Sequence, residues 1–552
     1  SPPNPDVSST PAGAPSVAFP VTLQRVLTVV GGLLWLVSLR ALWVRLREPI
    51  GIYDEGILLT NAEMVLAGKV AYRDFYTNYP PGTFLLLGGL FKLFGPSILV
   101  ERWVGLVGRV ACGLLAGVLA GRLSGSRFSA VTAGLVTLWL STIGAMAFAY
   151  VLALPVALLA VLLLLRAREE GGRGAHVVAG VVLGLVSWLR HDLFAVMAVM
   201  LGVGVGVLVL KQRAWRAEAR REWAWAGWVV AGAALVVVPF WLPWLVLTGP
   251  MQVLNDLYFD QVRYTMPGRV LPMPPLFQLG EGGLPLPLPA LLRSPLEGAV
   301  ALTLLGPVLG ILAVVWPWRG SDRARMGAAM MVALSLAVLP QMMGRTDIWH
   351  AVYTVAPAVV LLGAWVERLS TSTTRPWVLQ AVAVLVLSLA LWPARESLAP
   401  TPPSDSPAFP GVARADGLPS PLPSPVAESR REVLSFIEQN SRPDEPIYVG
   451  LTDHRFIFIN EMELYFLSGR IGATRYMQFD PNVINRLDVQ QRMAEELEAA
   501  GVRVAVLSGL VSGWVEPNDT RKEGADFLDK YLKEHFEVVR EVPPYVLMLR
   551  RP

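Results

Sequence analysis

The sequence predicts a polytopic, all-α membrane bundle of about eleven transmembrane helices, followed by a small C-terminal α/β domain outside the membrane. Hydrophobic residues make up 53% of the 552 residues and charged residues only 16%, below the roughly 25% charge of typical soluble proteins. The apolar residues cluster in runs that are long enough to cross a bilayer, which needs about 20 residues per helix. Beyond residue 394 these runs end and the hydropathy falls, which separates the bundle from a soluble C-terminal part.

Eleven apolar runs are predicted to be membrane spans. The runs at 175–190 and 193–210 are separated only by Arg190-His191-Asp192, and we interpret them as two spans joined by a tight polar turn. The predicted spans are 24–44, 102–121, 128–146, 148–166, 175–190, 193–210, 226–247, 297–317, 326–343, 351–367 and 376–393.

The basic residues support this arrangement. Arginine and lysine are concentrated in the loops after the second, fourth, sixth, eighth and tenth spans, which share one side of the membrane. If the N-terminus is cytoplasmic, that side is the cytoplasm, as the positive-inside rule requires. The C-terminal domain is then extracytoplasmic. The net charge of +4 and the pI of about 9.2 therefore reflect membrane topology, and nucleic acid is excluded as a partner. Cys112 is the single cysteine, which excludes a disulfide framework.

The composition divides the chain into four segments. Residues 1–20, rich in proline and serine, are predicted to be a disordered tail, and residues 21–394 to be the membrane domain. Two long outer loops interrupt that domain at 45–101 and 248–296. A Pro/Ser-rich linker is predicted at 395–426, and an α/β domain at 427–552. The elements predicted within that domain are helices at 428–440, 485–500 and 523–534 and strands at 447–450, 502–508, 536–541 and 545–550.

Ionisable residues at the outer ends of spans are the candidate functional residues, because such residues are costly near a membrane. Asp54 and Glu55 follow the first span. Two adjacent carboxylates can act as a general base or can bind a divalent cation. The alternative is a structural role, because acidic residues also favour the first turn of a helix.

Two further groups contain arginine, which binds phosphate bidentately. Arg190, His191 and Asp192 form the turn between the fifth and sixth spans, where a snorkelling Arg190 paired with Asp192 is the alternative. The segment 344–350 offers Arg345, Asp347 and His350, and its alternative is a polar turn with a local ion pair. The histidine spacing lacks a metal-ligand pattern, which argues against zinc.

The first outer loop resembles that of the GT-C membrane glycosyltransferases. It is most similar to the bacterial relatives of the protein O-mannosyltransferases and of the aminoarabinose transferase of lipid A. The resemblance covers about 45–105 and extends to segment 344–350 and to parts of 465–476. The matching residues in the loop are Asp54-Glu55-Gly56, Ala62, Leu66, Gly68, Tyr72, Asp74-Phe75, Pro80-Pro81-Gly82 and Phe94-Gly95. Tyr79 stands where relatives often have lysine or histidine.

The resemblance implies a GT-C-like fold and an enzyme of the bacterial inner membrane. Such enzymes transfer a sugar from a polyprenyl-phosphate donor to a lipid, glycan or protein hydroxyl on the extracytoplasmic face. The family's catalytic carboxylate maps onto Asp54, with Glu55 beside it, and Tyr72, Asp74 and Tyr79 become further candidates. The sequence does not decide whether a cofactor is needed: Asp54 and Glu55 permit a divalent cation but do not demand one.

The chemistry of the residues fits the hypothesis of a sugar transfer from a polyprenyl-phosphate donor. Such a transfer needs a carboxylate to deprotonate the acceptor, cations to hold the departing phosphate, and a groove for the lipid tail. Asp54 is the candidate for the carboxylate, and Arg190 and Arg345 are candidates for the cations. The bundle of spans supplies the groove. Arg470, Arg475 and Tyr476 of the C-terminal domain could contact a glycan, and the alternative is that they are ordinary surface and packing residues.

Two alternatives remain open at this point. The first is a transporter or flippase of an anionic lipid or glycan, although the sequence lacks the repeated half that transporters often show. The second is a non-catalytic membrane scaffold with an outer binding domain.

Overall fold

The computed structural model describes residues 21–140, 144–211, 218–274, 295–315, 322–372, 381, 413–418, 422–511 and 523–552. Its first part is a bundle of helices. These are α1 (Val21–Arg45), α2 (Asp54–Leu66), α3 (Gly82–Phe94), α4 (Ile98–Ser124), α5 (Arg127–Leu140), α6 (Ala149–Glu170), α7 (Arg173–Leu189), α8 (His191–Lys211), α9 (Glu218–Thr248), α10 (Pro250–Leu254), α11 (Met266–Arg269), α12 (Pro295–Val315), α13 (Asp322–Ala337), α14 (Leu339–Gly344), α15 (Ile348–Ala351) and α16 (Ala356–Ser372).

The chain is a multi-pass membrane protein. Within the described ranges, six segments are long and apolar enough to cross a membrane, and the bent pair Ile348–Thr354 and Ala356–Leu369 raises this to seven. Helix α7 and the apolar stretch His191–Val203 of α8 are shorter, and α8 begins directly after an extended Arg190, where the two-span interpretation expected a break. The predicted span at 376–393 lies outside the described residues, so the count of eleven stays a prediction.

Helices α2 and α3 form a hairpin within the first long loop. Helix α2 is buried along most of its length between α3 and a later helix, α18 (Glu463–Ser468). Gly56 makes this packing possible, because a Cβ atom there would overlap the backbone of Met462 and Glu463. The side chain of Thr60 donates a hydrogen bond to the carbonyl oxygen of Met462 over 2.9 Å. This contact fixes α2 against the C-terminal part of the chain.

The C-terminal part contains a four-stranded mixed sheet. Its strands are β1 (Tyr448–Leu451), β2 (Val504–Ser508), β3 (Phe536–Val542) and β4 (Tyr545–Arg550), in the order β1-β2-β4-β3. Strands β1 and β2 are parallel, and the other two pairings are antiparallel. The accompanying helices are α17 (Ser424–Asn440), α18, α19 (Leu487–Ala499) and α20 (Phe527–His535). Helices and strands lie close to where the alternating pattern predicted them, except that α18 was not foreseen.

One hydrophobic core joins the first long loop to the C-terminal part. It includes Tyr72 and Phe84 from the loop, Leu257 from the second long loop, and Tyr448 and Val506 from the sheet. A separate core fills the helix bundle. The sheet is therefore packed directly on the loops that leave the bundle, and these loops are not free to move independently of it.

Replacement of Gly56 by alanine tests this packing. We expect a lower apparent melting temperature in detergent, because the added methyl group would meet backbone atoms of Glu463 that cannot move aside cheaply. Gly89→Ala in α3 is the matched control, because a Cβ atom there meets nothing within 4 Å and alanine favours helix. Equal melting temperatures for the two variants would contradict the close approach of α2 and α18.

Candidate functional site

A cavity of about 650 Å³ lies where the helix bundle meets the loops and the C-terminal part. We call it the polar cavity. It collects eight of the eleven candidate side chains named from the sequence, which are contributed by four separate segments of the chain. These eight are Asp54, Tyr79, Arg190, His191, Asp192, Arg345, Asp347 and His350. Glu55, Tyr72 and Asp74 do not line it.

Asp54 lies in the first turn of α2 and is exposed to the polar cavity. In the described part of the chain, no side chain donates a hydrogen bond to its carboxylate or forms an ion pair with it. Burial within the surrounding protein raises the pKa of Asp54, and the positive charge of Arg269 opposes that rise. The carboxylate is thus a free base whose proton affinity exceeds that of an ordinary aspartate.

Arg190 enters the polar cavity from the break between α7 and α8. Its Nε and Nη2 atoms donate to the two carboxylate oxygens of Asp192 over 2.8 and 2.6 Å. Its guanidinium carbon also lies 4.9 Å from the centroid of the Tyr150 ring. This pairing fixes the orientation of the guanidinium while Nη1 keeps its hydrogen-bonding capacity.

The segment 345–350 forms a local network on another wall. Arg345 Nε donates to Asp347 over 2.6 Å, and His350 Nδ1 lies 2.7 Å from the other oxygen of Asp347. Asp347 also caps α15 by accepting from the backbone nitrogen of His350. Burial alone would raise the pKa of Asp347, but the hydrogen bonds and charges of His350 and Arg345 lower it to about 2. Asp347 is therefore ionised at neutral pH and acts as the counterion of Arg345.

The sequence analysis missed Arg269, which also lines the polar cavity. This residue ends α11 in the second long loop, and its Nη1 donates to Asp480 over 2.8 Å. Asp480 is fully buried and belongs to the C-terminal part. The guanidinium also lies 5.9 Å from the ring centroid of Tyr53, beside Asp54. A lone arginine within a Pro-rich loop gave no spacing signal, so only the tertiary contact with Asp480 identifies it.

Glu55 does not share the site expected for it. Its side chain is fully buried and accepts hydrogen bonds from Arg102 Nε and Nη2 over 2.6 and 2.9 Å, and from the backbone nitrogen of Gly51 over 2.6 Å. The remaining Arg102 donors bind the carbonyl oxygens of Leu46, Glu48 and Pro49. Consecutive residues in a helical turn point in different directions, so Asp54 faces the cavity and Glu55 faces Arg102.

The arrangement does not fit a divalent cation held jointly by Asp54 and Glu55. Both oxygens of Glu55 are already bound, and a cation would have to displace Arg102. In the described ranges, no group of three or more His, Cys, Asp or Glu side chains converges as a metal site would require. We therefore assign no step to a metal ion.

Tyr72 and Asp74 shape the loop that leads to the polar cavity. Tyr72 has a positive φ of 67°, and its hydroxyl group donates to the carbonyl oxygen of Tyr79 over 3.0 Å. Asp74 accepts from the backbone nitrogen of Val70 over 2.7 Å and pairs with Arg73. Tyr79 itself faces the cavity, where burial and the nearby charge of Asp54 raise its pKa to about 12. It therefore remains a neutral hydroxyl group at physiological pH.

Arg475 is also not available for the glycan contact considered from the sequence. It is buried, forms an ion pair with Asp256 in the second long loop, and donates to the carbonyl oxygen of Tyr72 over 3.0 Å. Its ring contact with Tyr476 completes this packing. Arg475 thus joins the C-terminal part to both long loops.

Comparison with known proteins identifies the fold. No family model and no curated protein matches the chain. The structure is similar to the crystal structure of ArnT from Cupriavidus metallidurans bound to undecaprenyl phosphate, with a TM-score of 0.54 and 15% identity. It is also similar to the apo state of that protein, with a TM-score of 0.52 and 16% identity. Each likeness covers 96% of this chain and 98% of ArnT. The GT-C-like fold predicted from the resemblance to the aminoarabinose transferases is confirmed.

The opposite environments of Asp54 and Glu55 predict opposite effects on stability. Glu55→Gln leaves Arg102 buried without its countercharge, and breaking such a pair costs about 3–5 kcal/mol. We expect a clearly lower apparent melting temperature, followed by tryptophan fluorescence in detergent. An unchanged value would show that this pair contributes no stability.

Asp54→Asn should be at least as stable as the parent at pH 7. The raised pKa of Asp54 means that folding disfavours its ionised form, and asparagine removes this cost. The difference should vanish as the pH falls below about 4, where the unfolded carboxyl group is also protonated. A loss of stability at pH 7 would show that the carboxylate has a structural partner.

Proposed function

We propose that this protein is an integral membrane glycosyltransferase that uses a polyprenyl-phosphate-linked sugar as its donor. The acceptor is a hydroxyl group of a lipid, a cell-envelope glycan or a protein. One observation carries the proposal: Asp54, whose carboxylate has no hydrogen-bond or ion-pair partner among the described residues, shares a cavity with Arg190, Arg269 and Arg345. The ArnT structure of the same fold contains undecaprenyl phosphate, which supports this choice of lipid phosphate.

The reaction follows from the charges of the polar cavity. Asp54 removes the proton from the acceptor hydroxyl group as its oxygen bonds to the anomeric carbon of the sugar. The bond between that carbon and the donor phosphate oxygen breaks, and the electron pair leaves with the polyprenyl phosphate. The guanidinium groups bind the phosphate and stabilise the charge that develops on it. A single displacement of this kind inverts the anomeric configuration.

The ion pairs hold these cations in place before the donor arrives. Asp192, Asp347 and Asp480 each accept a hydrogen bond from one of the three arginines. Such fixed dipoles and charges stabilise a transition state without having to reorganise.

The extracytoplasmic face is part of the proposal. The distribution of arginine and lysine favours a cytoplasmic N-terminus, which puts the first long loop and the C-terminal part outside the cytoplasm. A lipid-linked donor suits the extracytoplasmic side because its sugar is already activated by the phosphate and its lipid tail keeps it in the membrane. The bacterial inner membrane is the corresponding location.

Replacement of Asp54 tests the reaction. In nanodiscs with a panel of polyprenyl-phosphate sugars and cell-envelope acceptors, we expect the parent to release polyprenyl phosphate and Asp54→Asn to be at least about 100-fold slower. Inclusion of EDTA should leave the parent rate unchanged. Retained turnover in a folded Asp54→Asn protein would overturn the assignment of the base, and movement of a labelled lipid without product would favour a transporter.

The pH dependence of transfer has a defined sign. Asp54 works as a base only when it is ionised, and burial raises its pKa. The rate should therefore fall with decreasing pH, with a midpoint above the value of about 4 that an exposed aspartate shows. This fall in rate is measured as a pH profile of single-turnover rates. A flat profile between pH 4 and 7 would contradict the role of Asp54.

Arg269 is expected to bind the donor phosphate. Arg269→Gln should weaken binding of undecaprenyl phosphate about tenfold or more, because a charge-assisted hydrogen bond is lost. Asp480→Asn should weaken it to a smaller extent, since Arg269 stays but loses the partner that orients it. Arg263→Gln is the matched control, because Arg263 is exposed in the same loop. Equal affinities of the parent and all these variants for undecaprenyl phosphate would show that Arg269 does not bind the donor phosphate.

A further inference from the structure

A second cavity, of about 850 Å³, lies in the C-terminal part at the opposite end of α2 from Asp54. It is formed by the C-terminal half of α17, the end of α18 and the segments that precede β1 and β2. Glu63, nine residues after Asp54 in α2, forms an ion pair with Arg414 at its rim. At 1.5 Å per residue, these two positions are about 14 Å apart along the helix. The cavity is thus distinct from the polar cavity.

Five arginines line this cavity, against two glutamates, Glu438 and Glu445. We call it the arginine groove, and its arginines are Arg414, Arg431, Arg442, Arg470 and Arg503. Three of them lie within 4 Å of a carboxylate oxygen. In the described ranges, Arg470 and Arg503 have no carboxylate partner. The carboxylates of Glu63, Glu428, Glu438, Asp444 and Glu445 equal the arginines in number, so what distinguishes the groove is that no carboxylate pairs with Arg470 or Arg503 among the described residues.

Arg470 is the most informative of these residues, because it is only 9% exposed. Its guanidinium donates to the side-chain oxygen of Ser441 over 3.1 Å, to the Ser441 carbonyl over 2.9 Å and to the Ser468 carbonyl over 2.8 Å. All three acceptors are neutral, whereas a guanidinium has five N–H donors. A buried cation without a countercharge is costly, so this position favours a bound anion.

Apolar residues extend from Arg414, at the rim of the arginine groove, to the end of α3. Arg414 lies over the ring of Phe466 at 5.5 Å, and that ring lies 5.9 Å from Phe91 of α3. Two residues further on, α3 exposes Leu93 and Phe94, which are 75% and 71% accessible. Apolar side chains beside a basic surface are typical of a protein face that rests in the headgroup region of a membrane. A soluble anion would make no use of them.

We propose that the arginine groove binds the phosphate headgroup of an anionic membrane lipid. Arg470 and Arg503 bind the phosphate oxygens, and Leu93 and Phe94 lie among the upper parts of the acyl chains. Arginine suits this role because its planar N–H groups match the geometry of phosphate. The bound lipid anchors the C-terminal part beside the end of α2, whose other end carries Asp54.

The test measures binding of dioctanoyl phosphatidylglycerol to the purified full chain in detergent. Dioctanoyl phosphatidylcholine and inorganic phosphate, at equal concentrations, are the comparison probes. The parent should bind phosphatidylglycerol in preference to both. Arg503→Gln, which changes an exposed side chain and should not disturb folding, should weaken this binding about tenfold, and Arg470→Gln should weaken it at least as much.

Arg455→Gln is the matched control. Arg455 follows the carboxyl end of β1, whereas the arginine groove lies at the amino end of that strand. The Arg455 side chain pairs with Asp453. This variant should bind phosphatidylglycerol as the parent does. Equal affinity of the parent for phosphatidylcholine would overturn the proposal, as would undiminished binding by Arg503→Gln. Equal binding of inorganic phosphate would show that the groove takes a free anion and not a lipid. Because no transfer reaction is measured, these outcomes are independent of the proposed glycosyltransferase activity.

Discussion

The buried ion pair between Glu55 and Arg102 is the interaction on which the polar cavity depends. Arg102 projects from α4 and uses all five of its N–H groups, two on Glu55 and the rest on the backbone that follows α1. The segment between α1 and α2 is thereby held in one conformation. Because Glu55 is fixed on one side of the first turn of α2, Asp54 is left to face the cavity. Two adjacent acidic residues thus receive different environments, and only one of them keeps an unpaired carboxylate.

In the polar cavity the arginines have ion-pair partners, whereas Asp54 has none among the described residues. The arginines that line it are oriented by aspartates, whereas Asp54 has no such partner among the described residues. A paired arginine keeps a fixed direction and still has N–H groups to offer to a ligand. An unpaired carboxylate surrounded by protein holds a proton more strongly than one in water, which suits a group that accepts a proton during a reaction. Burial and pairing, more than residue type, divide the ionisable groups between binding and proton transfer.

The C-terminal part packs beside the polar cavity and also contributes contacts to it. Asp480 orients Arg269, and Arg475 joins Asp256 of the second long loop to Tyr72 of the first. A shared hydrophobic core supports these polar contacts. The same part carries the arginine groove at the far end of α2. One helix of 13 residues therefore lies between two cavities that are both lined by arginines, with Gly56 allowing its close approach to α18.

The amino-acid sequence alone was enough to predict the class of fold, most helix positions, the break at Arg190 and the α/β pattern of the C-terminal part. Apolar periodicity, charge and turn residues are local properties, so they can be read without the tertiary structure. Position at the outer ends of the predicted spans also singled out seven of the side chains that line the polar cavity, and the family resemblance added Tyr79. The folded structure was needed to show that Glu55 pairs with Arg102, that Arg269 lines the polar cavity and that Arg475 forms an ion pair with Asp256. Each of these outcomes depends on a partner 47 to 219 residues away in the chain, and no local pattern encodes which distant charge a side chain will meet.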